Sequence, residues 1–355
     1  MALSGNKGEW SEIYGVLLLL VRPTLNIVDS KLQIIDDALY KVKAVNVNVE
    51  EGLKYAIAEN LIYIYVDNEL VNNISSEEII RYKDILLNEI KSADTEGSGS
   101  FEIDEMSDFL RRFSNGKPIK APSRDKSDVY LTLNNMREAS IIELSYSVKS
   151  MLGSPATIMN SSSHTNVKYR VTGLNENSID YINRINGRTK LKDRIVAINR
   201  AGGIVDFDSI VSSELDYNLR MIDSDMPKYM ANALLYSYTN GVKSFKDAFI
   251  KSNTFLDENH ATKKIGDFLD GISFGFIPSR KWDGKRQVTG GIIVITEDGN
   301  LLVLDLTYYK DDVIDYLINE TKFDSPSSSR YHMLELKKES DGNVYFTLNI
   351  QIRYK

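Results

Sequence analysis

Asp128 opens the run DVYLTL, and Lys149 lies near the end of the run that returns, SIIELSYSVKS. Both runs alternate apolar and polar residues, the period of a half-buried strand. Ile142, Leu144, Tyr146 and Val148 point one way, and Glu143, Ser145, Ser147 and Lys149 the other. Asn134 to Ala139 makes the turn, so one hairpin carries an acid at one strand start and a lysine at the other strand's end. Such a pair suits metal-assisted phosphodiester hydrolysis. Mg²⁺ takes oxygen ligands, one or two of them carboxylates. The metal polarises the phosphate and activates water, and a nearby lysine stabilises the charge that develops. After the lysine, Gly153-Ser154-Pro155 carries the signals of a helix start, with Ser154 as cap and Pro155 at the first helical position.

The nuclease pattern written PD-(D/E)XK also asks for an acid two residues before the lysine. That position is Ser147. Glu143 shares its face but lies about 13 Å along the strand, at about 3.3 Å per residue. A carboxylate must therefore come from another element. Glu12 and Glu9, in the helical start EWSEIYGVLLLL, are the candidates, with Glu138 behind them. Acids in a first turn also simply favour the helix dipole. The short pattern recurs: Asp283-Gly-Lys285, Glu320-Thr-Lys322 and Glu335-Leu-Lys337 satisfy it too. Asp324 with Glu335 and Lys337 even keeps the acid, but its intervening segment is a serine-rich loop.

The chain has 355 residues, for which a prior of roughly 150 per domain gives about two domains. Apolar residues make up 42%, enough for a substantial core, and the net charge of -7 makes any nucleic-acid surface a local matter. The absence of cysteine excludes thiolate metal sites, cysteine nucleophiles and disulfides. The apolar run Val16 to Val21 is too short to cross a bilayer, and Asn6-Lys7-Gly8-Glu9 does not read as a secretory leader. A cytoplasmic setting is the expectation. Three scattered histidines form no zinc helix, and His260 and His332 read as structural.

The elements that must position the hairpin read as mixed α/β. Lys41 to Val49 and Leu61 to Val66 read as strands, and Ser75 to Lys91 as an amphipathic helix capped by Ser75 or Ser76. Asn166 to Val171 reads as a further strand. Leu174 to Gly271 reads as mostly helical, with Asn177 capping a helix that ends at Gly187 and another from about Lys190 to Arg200. From Ser273 the pattern turns to strands: a hairpin IIVIT and LLVLDL, a helix Lys310 to Thr321, and a last hairpin turned at Asp341-Gly342-Asn343. The expected division is 1–172 as the core, with a helical insertion at about 70–115; 173–271 as a mostly helical DNA-contacting region; and 272–355 as a strand-rich part for target recognition. The fold class is α/β (α+β), a central mixed sheet with helical insertions and a hairpin-rich C-terminal part.

Two further features invite function. Asp94 to Glu105 matches an EF-hand calcium loop at Asp94, Ser98, Gly99 and Glu105, and departs from it at Glu96 and Phe101. A plain helix connector and a calcium-responsive binding module both remain open for it. Arg184, Arg188, Lys190, Lys192, Arg194 and Arg200 locally reverse the chain's acidity, as a solvated face or a DNA-backbone surface. Arg280, Lys281, Lys285 and Arg286 lie in an aromatic loop, and Arg330 in a serine-rich one. Any of them is a candidate for guanine contact, with phosphate contact or plain solvation as the alternative.

The blocks KGEWSEIY, SYSVKSMLGSPATIMNSSSHTN, SFGFIPSRKWDG with TGGIIVI, and TKFDSPSSSRYH occur in order along essentially the whole chain. Together they resemble the HpaII family of type II restriction endonucleases. The resemblance implies a PD-(D/E)XK double-strand DNA endonuclease using Mg²⁺, with a short target such as the palindrome CCGG that the family's namesake reads. It further implies a bacterial cytoplasmic setting, a methyltransferase protecting the same site, and a homodimer on a palindromic target. Matched by position, the family's blocks fall on Ser147, Lys149 and Ser150, on Glu9 and Glu12, and on Asp128. Lys149, Asp128, Glu12 and Ser147 become the catalytic candidates, and Asp128, Glu12 and Glu9 the metal ligands. Ser150, Ser154, Asn160, Asn166, Arg188, Lys190, Arg280, Lys281, Lys285, Arg286 and Arg330 are the DNA-binding candidates. The serine at 147 keeps one alternative open, a DNA-binding protein with a degenerate nuclease fold.

Overall fold

Asn6 begins the first helix through a reciprocal cap. Its Oδ1 accepts from the Glu9 backbone N–H at 3.0 Å, and Glu9 Oε2 accepts from the Asn6 N–H at 2.9 Å. The helix, Lys7–Val21, is buried along most of its length, from Trp10 through Leu20. The computed structural model describes residues 4–94, 99–119 and 125–355. Among them no helix is long and apolar enough to cross a membrane.

The chain divides into two compact units, Met1–Ala156 with Arg286–Tyr316, and Thr157–Lys285 with Leu317–Lys355. This division runs differently from the expected boundaries, because the strands Gly291–Ile295 and Leu301–Asp305 complete the sheet of the first unit.

That sheet has ten strands in the order Ile34–Asp36, Ile27–Val28, Leu301–Asp305, Gly291–Ile295, Ser140–Ser150, Val129–Asn135, Tyr40–Asn48, Leu53–Ala58, Leu61–Val66, Glu69–Ser75. Two of its pairings are parallel, Ser140–Ser150 with Gly291–Ile295 and Leu301–Asp305 with Ile27–Val28. The other pairings are antiparallel. The sheet is therefore mixed, as the α/β fold class expects. The first helix lies on it through Gly15, where an added Cβ would stand 3.1 Å from Ile295 Cδ1 and 3.9 Å from Val148 Cγ1. Trp10, Tyr14, Tyr146, Val148 and Ile293 join one buried cluster there. Each such side chain removed from water contributes roughly 1.5–3 kcal/mol.

The TGG block has a steric explanation. A Cβ at Gly290 would fall 2.4 Å from the Tyr146 ring, and Gly291, at φ +127°, would place one 2.0 Å from the Leu304 carbonyl. Only glycine fits both positions. Ser145 fastens the same segment: its hydroxyl donates to the Gln287 carbonyl at 2.9 Å, and its carbonyl accepts from the Gly290 N–H at 2.8 Å.

The second unit holds a four-strand sheet, Ile204–Ile210, Asn166–Thr172, Val344–Asn349, Lys337–Lys338, and a three-strand sheet, Thr157–Met159, Ile352–Tyr354, Thr321–Phe323. Its helices include Glu176–Arg184, Lys190–Arg200, Ser213–Ile222, Met226–Asn240, Phe245–Ser252 and Glu258–Asp270. Three local expectations fail here or at its border. No helix starts at Ser154. The chain instead enters the strand Thr157–Met159, whose pairing with Ile352–Tyr354 overrides the Ser-Pro signal. Asn175, not Asn177, caps Glu176–Arg184, accepting from the Ser178 N–H at 2.9 Å. Ile204–Ile210 is a strand inside a region expected to be mostly helical.

Candidate active site

Asp128 immediately precedes the strand Val129–Asn135. Its backbone N–H donates to the Tyr146 carbonyl at 2.9 Å, which ties it to the neighbouring strand. Its carboxylate Oδ2 accepts from the Val148 N–H at 2.6 Å and from the Ser147 hydroxyl at 3.1 Å. Lys149 Nζ lies 4.0 Å from the same oxygen, with both side chains about one-quarter exposed. The hairpin thus brings Asp128, Ser147 and Lys149 together.

Ser147 therefore has a task that an acid would not share. As a donor it orients the Asp128 carboxylate, whereas a second carboxylate this close would repel it. The acidic side chains near Asp128 come instead from the first helix. Glu9, Glu12 and Asp128 line one cleft with Trp10, Ile13, Val16, Val47 and Val129. Glu9 and Glu12 are three apart and share a helix face. One oxygen of Glu9 is also engaged in the helix cap. Glu138 is elsewhere, at the far turn of the hairpin, where it accepts from the Tyr308 hydroxyl. It does not join the cleft.

Among the described residues no group of three Asp, Glu, His or Cys side chains forms a ready-made metal cage. Mg²⁺ does not need one. It keeps several waters and takes one or two carboxylates plus substrate phosphate oxygens. The hard oxygen donors of Asp128 and Glu12, with Glu9 beside them, fit that requirement.

Lys126 lies two residues before Asp128 and is its neighbour in charge as well as in sequence. Burial, and then the positive charge of Lys149, push its ammonium down to about 7, while Asp128 partly opposes them. Two lysines and an aspartate thus interact at one strand end. No spacing rule marks Lys126. Its place depends on contacts with a segment distant in sequence: the Lys126 N–H donates to Gln287 Oε1 at 3.3 Å and the Ser127 hydroxyl to the Gln287 carbonyl at 2.9 Å.

The remaining candidates separate by environment. Ser150 closes its strand by accepting from the Leu152 N–H at 3.1 Å. Asn166 accepts from the buried Asn349 amide at 2.8 Å, and so serves the interior of the second unit. Ser154, Asn160, Arg188, Arg280, Lys281, Lys285, Arg286 and Arg330 are exposed, and Lys190 is half-buried. Arg194 is structural: it is buried and donates to the carbonyls of Asn183, Ile185 and Leu334. The rival acids have other partners: Asp324 pairs with Arg353 at 2.8 Å, and Glu335 with His332 and Lys337 at 3.3 and 3.4 Å. Of the calcium-loop positions, Glu96 and Ser98 lie outside the described residues. Phe101–Glu102 forms a short strand against Ser4–Gly5.

A mixed sheet that carries an acid-and-lysine hairpin, with helix glutamates lining the same cleft, defines the nuclease class. Comparison with known proteins agrees. The family model for the HpaII restriction endonuclease matches residues 6–354. The chain is 31% identical over 367 aligned residues to the type II restriction enzyme HpaII of Haemophilus parainfluenzae, covering 99% of this chain and 98% of that one. No solved structure matches. The chain belongs to the HpaII restriction endonuclease family and is a site-specific endonuclease.

Proposed function

We propose that this enzyme cuts double-stranded DNA at a short palindrome rich in G·C, CCGG or a close relative, by Mg²⁺-assisted attack of water. The observation that carries the reading is the arrangement around Asp128, with Lys149 at 4.0 Å and Glu12 and Glu9 lining the same cleft.

Asp128 and Glu12 would hold the ion, with Glu9 beside them. Mg²⁺ bound there supplies Lewis acidity toward the scissile phosphate and lowers the pKa of water. Ser147 fixes the rotamer of Asp128 by its hydrogen bond. Lys149 places its ammonium where negative charge builds on the phosphoryl oxygens, and it orients the incoming water by donation. Trp10, Ile13, Val16 and Val47 line the cleft with apolar surface, which strengthens these charge interactions.

A palindromic target fits a homodimer, in which two copies present the same site to the two strands. A cognate methyltransferase would protect the host's copies of the target, in the bacterial cytoplasm where both act. The test is digestion of a sequenced, unmethylated plasmid with Mg²⁺, followed by sequencing of the fragment ends. Discrete fragments whose ends share one palindrome are expected. Intact plasmid, or ends without a common sequence, would contradict the reading.

A further inference from the structure

The loop that follows the π-turn Gly271–Gly275 exposes Arg280, Lys281 and Lys285, with Asp283 as the acid among them. Exposed loops rich in long cations are ordinarily mobile, because nothing offsets the entropy of ordering them. This one is fastened from beneath. Asn218, on the helix Ser213–Ile222, is fully buried. Its Nδ2 donates to the Arg280 carbonyl at 2.7 Å and to the Ile277 carbonyl at 3.3 Å, and its Oδ1 accepts from the Trp282 N–H at 2.7 Å. All three bonds go to loop backbone.

Trp282 provides a second anchor. Its ring lies over Gly275, where a Cβ would fall 2.8 Å from it, and stands 5.6 Å from the Phe276 ring. Its indole N–H donates to the Lys285 carbonyl at 2.7 Å. Asp283 accepts from the Lys285 N–H at 3.0 Å, and Gly284 turns the chain at φ +82°. The sole acid of the loop is thereby used to shape it. Arg280, Lys281 and Lys285 form no ion pair among the described residues. Lys281 lies 5.4 Å from the ring of Tyr217, the residue before Asn218.

We propose that Asn218 is a positioning residue that holds this loop, before DNA arrives, as a preformed contact for the duplex. The inference rests on the endonuclease reading for the identity of the polyanion. The physical reason is preorganisation. Collecting three unpaired cations on a fixed backbone is unfavourable in the free protein, and a phosphate-rich partner relieves it. Asn218 is buried and touches no DNA. It acts through the backbone of Ile277, Arg280 and Trp282, and its amide fits the task because one side chain both donates and accepts.

The test is a double-mutant cycle on the full-length enzyme. One arm is N218A, with N218D as a partner that keeps the acceptor for the Trp282 N–H but loses the donors. The other arm is the surface triple R280A/K281A/K285A, which leaves every buried bond in place. Plasmid cleavage gives kcat and KM, and anisotropy with short duplexes containing or lacking CCGG gives Kd. Each arm should weaken DNA binding by on the order of 10- to 100-fold, with the loss mainly in KM. Combined, they should cost little more than the triple alone, because Asn218 works only through the loop. Equal loss on both duplexes makes the loop a phosphate contact, and loss confined to the CCGG duplex makes it a base reader. Either result supports the proposal. A triple that binds like wild type overturns it even if N218A misfolds, and so do fully additive losses. Wild-type cleavage tests the endonuclease reading separately: an enzyme that binds duplex without cutting fails that reading, and the cycle is then read on Kd. Absence of DNA binding by wild type overturns both.

Discussion

The strand end at Asp128 and the loop above Asn218 both carry lysines, and they treat them in opposite ways. At the strand end, Lys149 faces the Asp128 carboxylate, and burial holds down the charge of neighbouring Lys126. On the loop, Arg280, Lys281 and Lys285 are exposed and have no acidic partner among the described residues. A charge-compensated site can keep its geometry fixed for a demanding reaction, while an uncompensated surface gains only when a polyanion covers it. The contrast also explains how a chain with net charge -7 can handle DNA. Whole-chain charge describes the average surface, whereas a DNA contact would be made by a local one.

If the contrast holds, the two regions respond to different perturbations. The largest effect belongs to the cleft: K149A and D128A should each lower single-turnover cleavage on the order of 10³-fold while duplex affinity changes far less. Ordinary cleavage in both variants would move the chemistry elsewhere. S147A leaves Asp128 its bond from the Val148 N–H, so a loss nearer tenfold is expected in the same assay. The loop should answer to salt. Each phosphate contact removed flattens the dependence of log K on log salt by about 0.9, so the loop triple should lower the slope by roughly 2 to 3. An unchanged slope would show that these cations serve bases or solvent instead.

The smallest effect is on stability. Asp305 is fully buried in the first unit, and burial raises its carboxyl to about 6 from 3.8. The folded state then holds the proton that the unfolded state releases, so stability falls as pH rises from about 4 to about 6. D305N should abolish that fall and stabilise the protein near neutral pH by roughly 3 kcal/mol, as read by thermal or denaturant unfolding across pH. A parent protein equally stable at pH 4 and 7 would contradict it.

Much of the fold is legible residue by residue. Leu61–Val66 alternates cleanly, and Ser75 announces its helix by accepting from the Glu78 N–H at 3.2 Å. Ser140–Ser150 and Val129–Asn135 form the expected hairpin because alternation and a polar turn agree. Ile204–Ile210 was hidden by helical neighbours, although its Asp206 and Asp208 alternate with apolar residues. Ser154-Pro155 misleads because a helix signal is local, whereas the pairing of Thr157–Met159 is made with residues near the C-terminus. The site divides the same way. Asp128 and Lys149 share a hairpin and can be found by spacing. Glu12 is far from them in sequence, and Lys126 and Asn218 owe their places to partners no pattern connects. Asn218 looks like any helical asparagine until Ile277, Arg280 and Trp282 are seen against it.

If the first helix supplies the carboxylate that the hairpin lacks at Ser147, activation by Mg²⁺ must depend on the charge of Glu12. Substituting Glu12 by Gln keeps size and hydrogen bonding while removing one charge, so cleavage rate against Mg²⁺ concentration tests it most directly. The expected result is a rate at least about 100-fold lower at saturating DNA, with half-activation shifted to higher Mg²⁺. Wild-type rate and Mg²⁺ dependence in E12Q would contradict a metal-binding role for Glu12 and leave Asp128 and Lys149 in want of a different third partner.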